Sequence, residues 1–304
     1  MTSKPPSQRP VMNNIVFHQG ALGDWVLIFP ILRALEGQTL AVAARSKAQL
    51  AARIMPHVEP CDIEQRDAAL LFSEDCQSEI TDAWRGALSR AEQIISFVSG
   101  GEGIWAGNVR RLAPQSRIAF VNPRPVVDWT GHLSTWHRRQ LVDQDIVLPD
   151  APMSPAVRRS GPLIVHPGSG GRDKCWPVGR FERLLTAFRH GGQEVRVLLG
   201  EVELETWPPT MIEAWRRDYQ AELIETLDSL RRVLDTAGGY IGNDSGPTHL
   251  AAAMGLPTLA LFGPTDPRRW GPCGPAVTVL APPKPREMTW LDVATVLAAC
   301  GVLV

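Results

Sequence analysis

The chain has 304 residues, of which 44% are hydrophobic and 21% charged, and its formal net charge is −1. These values are typical of globular proteins and exclude a disordered or fibrous chain. The length suits two domains of roughly 150 residues each. Because 31 basic residues are balanced by 32 acidic ones, without a long basic run, we expect no binding of nucleic acid.

Cysteine usage bears on the compartment and on metal binding. The five cysteines are scattered, form no C-x-x-C pair and have no zinc-like spacing with the seven histidines. We therefore predict a reducing, cytoplasmic location and no metal site, and leave peripheral association with the inner face of the cytoplasmic membrane open. No apolar run reaches the roughly 20 residues of a membrane span. Residues 1–13 are polar and proline-rich, unlike a signal peptide, and predict a loose tail.

Short apolar runs alternate with helix-compatible stretches such as "SKAQLAARIM" and "SEITDAWRGALSRA" in the first half of the chain. The runs that predict strands are "IVFH" at 15, "TLAVAA" at 39, "AALLF" at 68, "QIISFV" at 93 and "RIAFVN" at 117. They are continuously apolar rather than alternating, which indicates strands covered on both faces. The β-α rhythm predicts a parallel, doubly wound sheet.

The alternation of predicted strands and helices begins again after the proline-rich segment "LPDAPMSPAVRRSGP". Strands are predicted at "PLIVHPG", "EVRVLLG", "AELIET", "GYIGND", "PTLALFG" and "AVTVLAP". We expect an N-terminal Rossmann-like domain at 14–150, a linker at 151–161 and a C-terminal Rossmann-like domain at 162–304. A terminal helix at about 289–300 is a candidate for packing on the N-terminal domain.

Ligands of doubly wound sheets bind beyond the carboxyl ends of the strands, so the loops after strands carry the functional candidates. The first loop runs through Gly20 and Gly23 into Asp24 and lacks the G-x-G-x-x-G spacing of a dinucleotide site. Asp24 falls in a first helical turn, where a carboxylate complements the helix dipole. On residues alone, this capping role and a catalytic role both stay open. Pro30 predicts a kink or restart of the helix.

The second loop, "VHPGSGGRDKCWP", is glycine-rich but has Asp-Lys-Cys where a Walker A motif needs Gly-Lys-Ser/Thr. Ser169, Gly170, Arg172 and Lys174 suit contacts to phosphate oxygens without a metal. An ordinary charged surface loop is the alternative.

The third loop, "GNDSGPTHLAAAMG", superficially matches the "GDSGGP" of trypsin-like proteases, but no matching histidine segment or all-β layout accompanies it. A helix is predicted to begin near Pro247 or Thr248, leaving backbone N–H groups that suit an anion. His249 alone is either a ligand contact or a buried helix-start histidine. A further turn-rich loop, "FGPTDPRRWGP", brings Arg268 and Arg269.

Together the segments "GALGDWVLIFPILRAL", "HPGSGGRDKCWPVGRFERLL" and "GNDSGPTHLAAAMGLPTLALFGPTDPRRWGP" resemble glycosyltransferase family nine, the ADP-heptose:lipopolysaccharide heptosyltransferases. The resemblance implies a GT-B architecture, that is, two Rossmann-like doubly wound domains with an interdomain cleft. It implies a nucleotide-diphospho-sugar donor bound by the C-terminal domain and a glycan acceptor bound by the N-terminal domain.

The resemblance also implies roles for individual residues. Asp24 is the implied general base and Lys174 the implied phosphate contact. The residues implied at the donor diphosphate are Asp244, Ser245, Gly246, Thr248 and His249. The acceptor-side candidates are Gly20, Gly23, Arg110 and Arg111.

The expected reaction is an inverting, metal-independent transfer of heptose or a related sugar from an ADP-linked donor to a hydroxyl of a cell-envelope glycan. A nucleoside diphosphate is a good leaving group, so one base and electrostatic stabilisation suffice, whereas a glycosidase needs two carboxylates. No cofactor is expected beyond the donor itself. A nucleotide-sugar isomerase or hydrolase with the same fold, using His132 and His137, and a non-catalytic sugar-nucleotide-binding protein are the alternatives.

Overall fold

A computed structural model describes residues 12–150, 154–157 and 160–302. Residues 1–11 of the predicted tail, and 151–153 and 158–159 of the predicted linker, lie outside the described residues. The strands are, in chain order, β1 Met12–Phe17, β2 Gln38–Ala43, β3 Val58–Asp62, β4 Gln93–Ser96, β5 Arg117–Phe120, β6 Leu163–His166, β7 Val195–Leu199, β8 Glu222–Leu223, β9 Gly239–Asn243, β10 Thr258–Leu261 and β11 Val277–Leu280.

Helices connect these strands. They are α1 Leu22–Leu27, α2 Phe29–Ala34, α3 Arg45–Ile54, α4 Arg66–Leu70, α5 Cys76–Glu79, α6 Asp82–Arg90, α7 Gly103–Leu112, α8 Leu133–Val142, α9 Val178–His190, α10 Glu201–Thr206, α11 Pro209–Tyr219, α12 Leu227–Asp235, α13 Gly246–Ala253, α14 Pro267–Trp270 and α15 Val293–Ala299. Short 3-10 turns lie at Arg172–Lys174, Met288–Trp290 and Cys300–Val302.

The strands form two sheets, and every strand pair in the described residues is parallel. The five-stranded sheet has the order β3-β2-β1-β4-β5, and the six-stranded sheet has the order β11-β10-β9-β6-β7-β8. In each sheet the chain first proceeds to one side and later returns to the other side of the starting strand. The predicted pair of doubly wound, Rossmann-like sheets is therefore confirmed.

The described chain divides into two compact units. The first comprises residues 12–20, 28–129 and 134–150, and the second comprises 21–27, 130–133 and the described residues from 154 onward. Helix α1 thus belongs to the second unit, although its neighbours in sequence belong to the first. Pro30 lies in the first turn of α2, and the helix restarts there as predicted.

The core of the first unit packs around strand and helix side chains such as Phe17, Ile94 and Trp105. In that unit the strand predicted at "AALLF" is wrong, because residues 66–70 form α4 and bury Ala68 and Leu71 in the core. A short apolar run has no periodicity that separates a strand from a buried helix. The strand β3, with Pro60 in it, was missed; it lies at the edge of its sheet, where proline is tolerated.

The core of the second unit includes Trp176, Phe181, Trp215 and Ile241. Helix α15 contacts α9 and contributes Val296 to this core, so part of its apolar face is covered within its own unit. Its packing on the N-terminal domain stays a prediction. The run "AELIET" yields only the two residues of β8.

Candidate functional site

The candidate site lies at the carboxyl edge of the six-stranded sheet. Strand β6 pairs with β9 at the centre, and β9 pairs with β10. From β6 the chain proceeds outward to β7 and β8, whereas from β9 it proceeds outward to β10 and β11. The loops after β6 and β9 therefore diverge at a topological switch point, the usual ligand position in such sheets.

Asp244, directly after β9, is the centre of the site. Its side chain is only 6% exposed, and its Oδ2 accepts hydrogen bonds from Lys174 Nζ at 2.8 Å and Thr265 Oγ1 at 2.7 Å. His249 Nε2 lies 3.5 Å from Asp244 Oδ1. Burial by itself raises the pKa of Asp244, but the contacts from His249, Lys174 and Thr265 outweigh it and lower that pKa to about 2. Asp244 is therefore a carboxylate over the whole physiological range and fixes the Lys174 ammonium.

The loop after β6 is held to the end of β9 by hydrogen bonds. Ser169 Oγ donates to the Asp244 carbonyl at 2.7 Å. Asn243 accepts from the Trp176 N–H at 3.0 Å and donates to the Pro167 carbonyl at 2.6 Å. Asn243 is fully buried, and sequence reasoning did not assign it a role. Its only sequence signal is a polar residue at the end of an apolar strand.

Helix α13 begins at Gly246, with Ser245 as its N-cap, close to the predicted start. The Ser245 side chain makes no capping hydrogen bond; its Oγ lies 3.1 Å from Thr248 Oγ1 instead. Thr248 Oγ1 donates to the Asn243 carbonyl at 2.5 Å. The two hydroxyls thus stabilise the turn between strand and helix and leave the first-turn amides available to an anion.

Helix α1 packs on α13 within the second unit. A Cβ built on Gly23 would lie 3.6 Å from His249 Cδ2, and a Cβ on Gly246 would lie 2.8 Å from Leu22 Cβ. Asp24 lies in the first turn of α1 and is half-buried. Among the described residues, its carboxylate makes no hydrogen bond or ion pair. The helix that carries Asp24 is therefore in contact with the helix that carries His249.

A second buried carboxylate lies beneath the loop after β6. Glu203, 1% exposed, accepts from the Gly200 N–H at 2.6 Å and lies 3.6 Å from His166 Nε2. A Cβ on Gly168 would overlap Glu203 Oε1. Burial lowers the pKa of His166, and the Glu203 charge opposes this effect. Sequence reasoning missed Glu203 because it lies in α10, far along the chain from Gly168, the loop residue that it contacts.

The structure does not group all predicted residues. Arg172 lies in the 3-10 turn with Lys174, and nothing described lies within 4 Å of a Cβ built on Gly170. Gly20 belongs to the first unit, and its carbonyl accepts a hydrogen bond from Lys47. Arg110 and Arg111 lie in the last turn of α7 in the first unit, bonded to the Gly101 carbonyl and to Asn108 respectively. The acceptor-side roles stay predictions.

The histidines of the alternative function lie in different units. His132 is in the second unit, where its Nε2 lies 2.9 Å from the Gly271 carbonyl oxygen. Burial lowers the pKa of His132; the hydrogen bond with Gly271 opposes this effect, and the nearby His249 adds to it. His137 is in the first unit, 3.2 Å from the Pro123 carbonyl. Across the described part of the chain, no group of three His, Cys, Asp or Glu residues could hold a metal ion. The same residues contain no helix long and apolar enough to cross a membrane.

The GT-B class of folds is built from two Rossmann-like units of this kind, each with a parallel sheet. Within that class the chain belongs to glycosyltransferase family 9 (heptosyltransferase), whose family model matches residues 137–289. The predicted family and fold class are confirmed.

Curated relatives of the chain include lipopolysaccharide heptosyltransferase 3 of Escherichia coli, 28% identical over 113 residues, which are 36% of this chain and 33% of the relative. Lipopolysaccharide heptosyltransferase 1 of Pseudomonas aeruginosa is 31% identical over 137 residues, 45% of this chain and 35% of the relative. The matches to these relatives span about a third of their length.

Solved structures share the fold over nearly the whole chain. Escherichia coli heptosyltransferase WaaC with ADP has a TM-score of 0.67 at 19% identity, covering 96% of this chain and 100% of that one. A family 9 glycosyltransferase from Veillonella parvula has a TM-score of 0.71 at 16% identity, covering 97% of this chain and 98% of that one. At these identities the likeness establishes the fold alone.

Proposed function

We propose that the protein is an inverting glycosyltransferase that moves heptose or a related sugar from an ADP-linked donor to a hydroxyl of a cell-envelope glycan. The observation that carries this proposal is the Lys174–Asp244 pair at the start of α13, against which the helix bearing Asp24 packs. The names of the curated relatives, lipopolysaccharide heptosyltransferases, support the sugar and the acceptor class. A related structure that holds ADP supports the nucleotide.

The donor diphosphate binds at the start of α13 and beside Lys174. The Lys174 side chain is 32% exposed, so its ammonium can meet a ligand while it keeps its bond to Asp244. The first-turn amides of α13 add directed N–H groups and the positive end of the helix dipole. Ser169, Gly170 and Arg172 complete the phosphate side, and His249 lies between Asp244 and α1.

Asp24 acts as the general base. Its oxygen takes the proton of the acceptor hydroxyl while that oxygen attacks the anomeric carbon of the donor sugar. The bond from this carbon to the diphosphate oxygen breaks, and its electron pair leaves with the nucleoside diphosphate. Displacement from the opposite face inverts the anomeric centre. Lys174 and the amides of α13 stabilise the charge that develops on the departing diphosphate.

The reaction needs no cofactor or metal in this proposal, since Lys174 and the helix start supply the positive charge beside the leaving group. Acceptor binding is assigned to the first unit, with Gly20, Arg110 and Arg111 as candidates; Gly23, the remaining acceptor-side candidate, lies in α1 of the second unit. We propose a cytoplasmic location, with the glycan acceptor presented at the inner face of the membrane.

The test is in two steps. A thermal-shift panel of ADP, GDP, UDP and CDP should show the largest increase in melting temperature with ADP, because a ligand of the native state stabilises it. ADP-heptose should then release ADP only when a lipopolysaccharide-core acceptor is present, with EDTA having no effect. Stabilisation by none of the four nucleotides would refute the donor site, and release of ADP at the same rate without acceptor would identify a hydrolase instead.

A further inference from the structure

Tyr240 is a fully buried residue of β9, the strand that ends at the candidate site. Side chains alternate along a strand, so Tyr240 lies on the same face of the sheet as Gly242. Asn243, which is bonded to the loop after β6, lies on the opposite face. Tyr240 therefore has a different set of neighbours, and these lie at the start of α13.

The hydroxyl of Tyr240 lies beside the hydroxyl of Thr248. A Cβ built on Gly242 would be 3.0 Å from Tyr240 Oη and 2.9 Å from Thr248 Oγ1, so both oxygens border the same point. The same Cβ would be 2.8 Å from Tyr240 Cε1. Because Gly242 has no side chain, the ring and the two hydroxyls can meet there.

The Tyr240 hydroxyl keeps its proton and can donate it. Burial raises the pKa of Tyr240; contacts with the hydroxyls of Thr248 and Ser245 oppose this rise, and the Glu203 charge adds to it. The hydroxyl thus has Glu203, beneath the loop after β6, and two residues at the start of α13 as its polar neighbours.

The hydrogen bonds of Thr248 determine what Tyr240 can do there. A threonine hydroxyl has one proton to donate and two lone pairs that accept. The Thr248 proton goes to the Asn243 carbonyl at 2.5 Å, and Ser245 Oγ lies 3.1 Å from Thr248 Oγ1. Thr248 is therefore left as an acceptor, for which Ser245 and Tyr240 can each supply a proton. Two such donors keep the Thr248 hydroxyl directed at Asn243 and so fix the turn from β9 into α13.

We propose that Tyr240 is a positioning residue of the donor site: its hydroxyl donates to Thr248 and holds the first turn of α13 in the orientation that a diphosphate needs. The inference rests on the proposed function, because it assumes that the diphosphate binds at the start of α13. Tyr240 is fully buried, so its effect reaches the ligand through Thr248.

Two matched variants test this role. Tyr240→Phe removes the hydroxyl and keeps the ring. Tyr219→Phe is the control: Tyr219 is the other tyrosine of the chain, its hydroxyl also contacts a threonine, Thr186, and it ends α11, which is no part of the site. In calorimetric titration we expect the Kd of ADP to rise about fivefold in Tyr240→Phe, the loss typical of one neutral hydrogen bond, and to stay unchanged in Tyr219→Phe. Urea unfolding of both variants accompanies the titration; lower stability of Tyr240→Phe with an unchanged Kd would make Tyr240 a core residue alone and overturn the inference.

A double-mutant cycle tests the route through Thr248. In a Thr248→Ser background, which keeps the hydroxyl, Tyr240→Phe should retain its fivefold effect. In a Thr248→Val background, which removes the acceptor, Tyr240→Phe should change the Kd by less than about twofold. A full fivefold effect in the valine background would show that Tyr240 acts elsewhere and would overturn the inference. If Thr248→Val does not fold, Tyr240→Phe and its control still decide, since an unchanged Kd overturns the inference by itself. Failure of the unmodified protein to bind ADP would instead overturn the proposed function, and this inference with it.

Discussion

At Lys174, one ammonium group serves both the fold and the proposed ligand. It neutralises Asp244, which is buried, and it is exposed enough to contact a phosphate. Lys174→Met should therefore raise the Kd of ADP by about 10- to 100-fold, the loss expected for a hydrogen bond to a charged group. Lys174→Arg, which keeps the charge, should lose far less in the same titration. An unchanged Kd in Lys174→Met would remove Lys174 from the donor site.

At Asp244, the depressed pKa links stability to pH. The folded value of about 2 lies below the ordinary 3.8, so its stabilising effect is complete above pH 4 and is lost as the pH falls towards 2. The shift corresponds to roughly 2 kcal/mol. Asp244→Asn should lower the free energy of unfolding by that order at pH 6, and the difference between the variant and the unmodified protein should be smaller at pH 3. Urea unfolding of both proteins at the two pH values measures this difference. A difference that does not change with pH would contradict the account.

At the level of elements, the contact between α1 and α13 sets where Asp24 lies. Gly246→Ala places a Cβ 2.8 Å from Leu22 Cβ, so the two helices must separate. We expect kcat to fall about 100-fold, because a shift of about 1 Å in a catalytic group has that effect, with a smaller change in the Kd of ADP. Gly107→Ala, where the new Cβ has only the end of the Arg111 side chain at 4.0 Å, is the control. Unchanged kcat in Gly246→Ala would show that this contact does not position Asp24.

The position of the loop after β6 depends on a close contact between Gly168 and Glu203, as the position of Asp24 depends on the contact between α1 and α13. In Gly168→Ala the new methyl group overlaps the buried Glu203 carboxylate, so either the carboxylate or the loop must move, and the close contact between them is lost. The Kd of ADP should rise at least tenfold. Gly179→Ala, at the start of α9, has its nearest described neighbour at 3.9 Å and should bind ADP normally. Normal ADP binding by Gly168→Ala would separate this loop from the phosphate site.

Sequence patterns predicted elements well where the signal was local. The buried run of β9 and the small polar residues after it gave both the strand and the start of α13 within two residues. The run "AALLF" was assigned wrongly, since only packing in the first core decides between helix and strand there. Thr265, Asn243 and Glu203 could not be predicted, because each acts through a contact with a distant part of the chain.

For the whole molecule, the alternation of strand and helix stretches was enough to predict two Rossmann-like sheets, and the order of the three loop motifs was enough to predict the family. The grouping of residues 21–27 with the second unit was not predictable, because it depends on α1 packing against α13 rather than on its sequence neighbours. This grouping bears directly on Asp24, since it places a catalytic candidate from the start of the chain with the phosphate-side residues. The two interpretations of Asp24 are compatible, because a carboxylate in the first turn of α1 complements the helix dipole wherever it also serves as the proposed general base.

The measurement that tests the central claim most directly is the turnover of Asp24→Asn with ADP-heptose and a lipopolysaccharide-core acceptor. The substitution keeps the shape of the side chain and removes the base, so we expect kcat to fall by about 10²- to 10⁴-fold with the Kd of ADP unchanged. Full turnover by Asp24→Asn would contradict the assignment of Asp24 as the general base and, with it, the proposed mechanism.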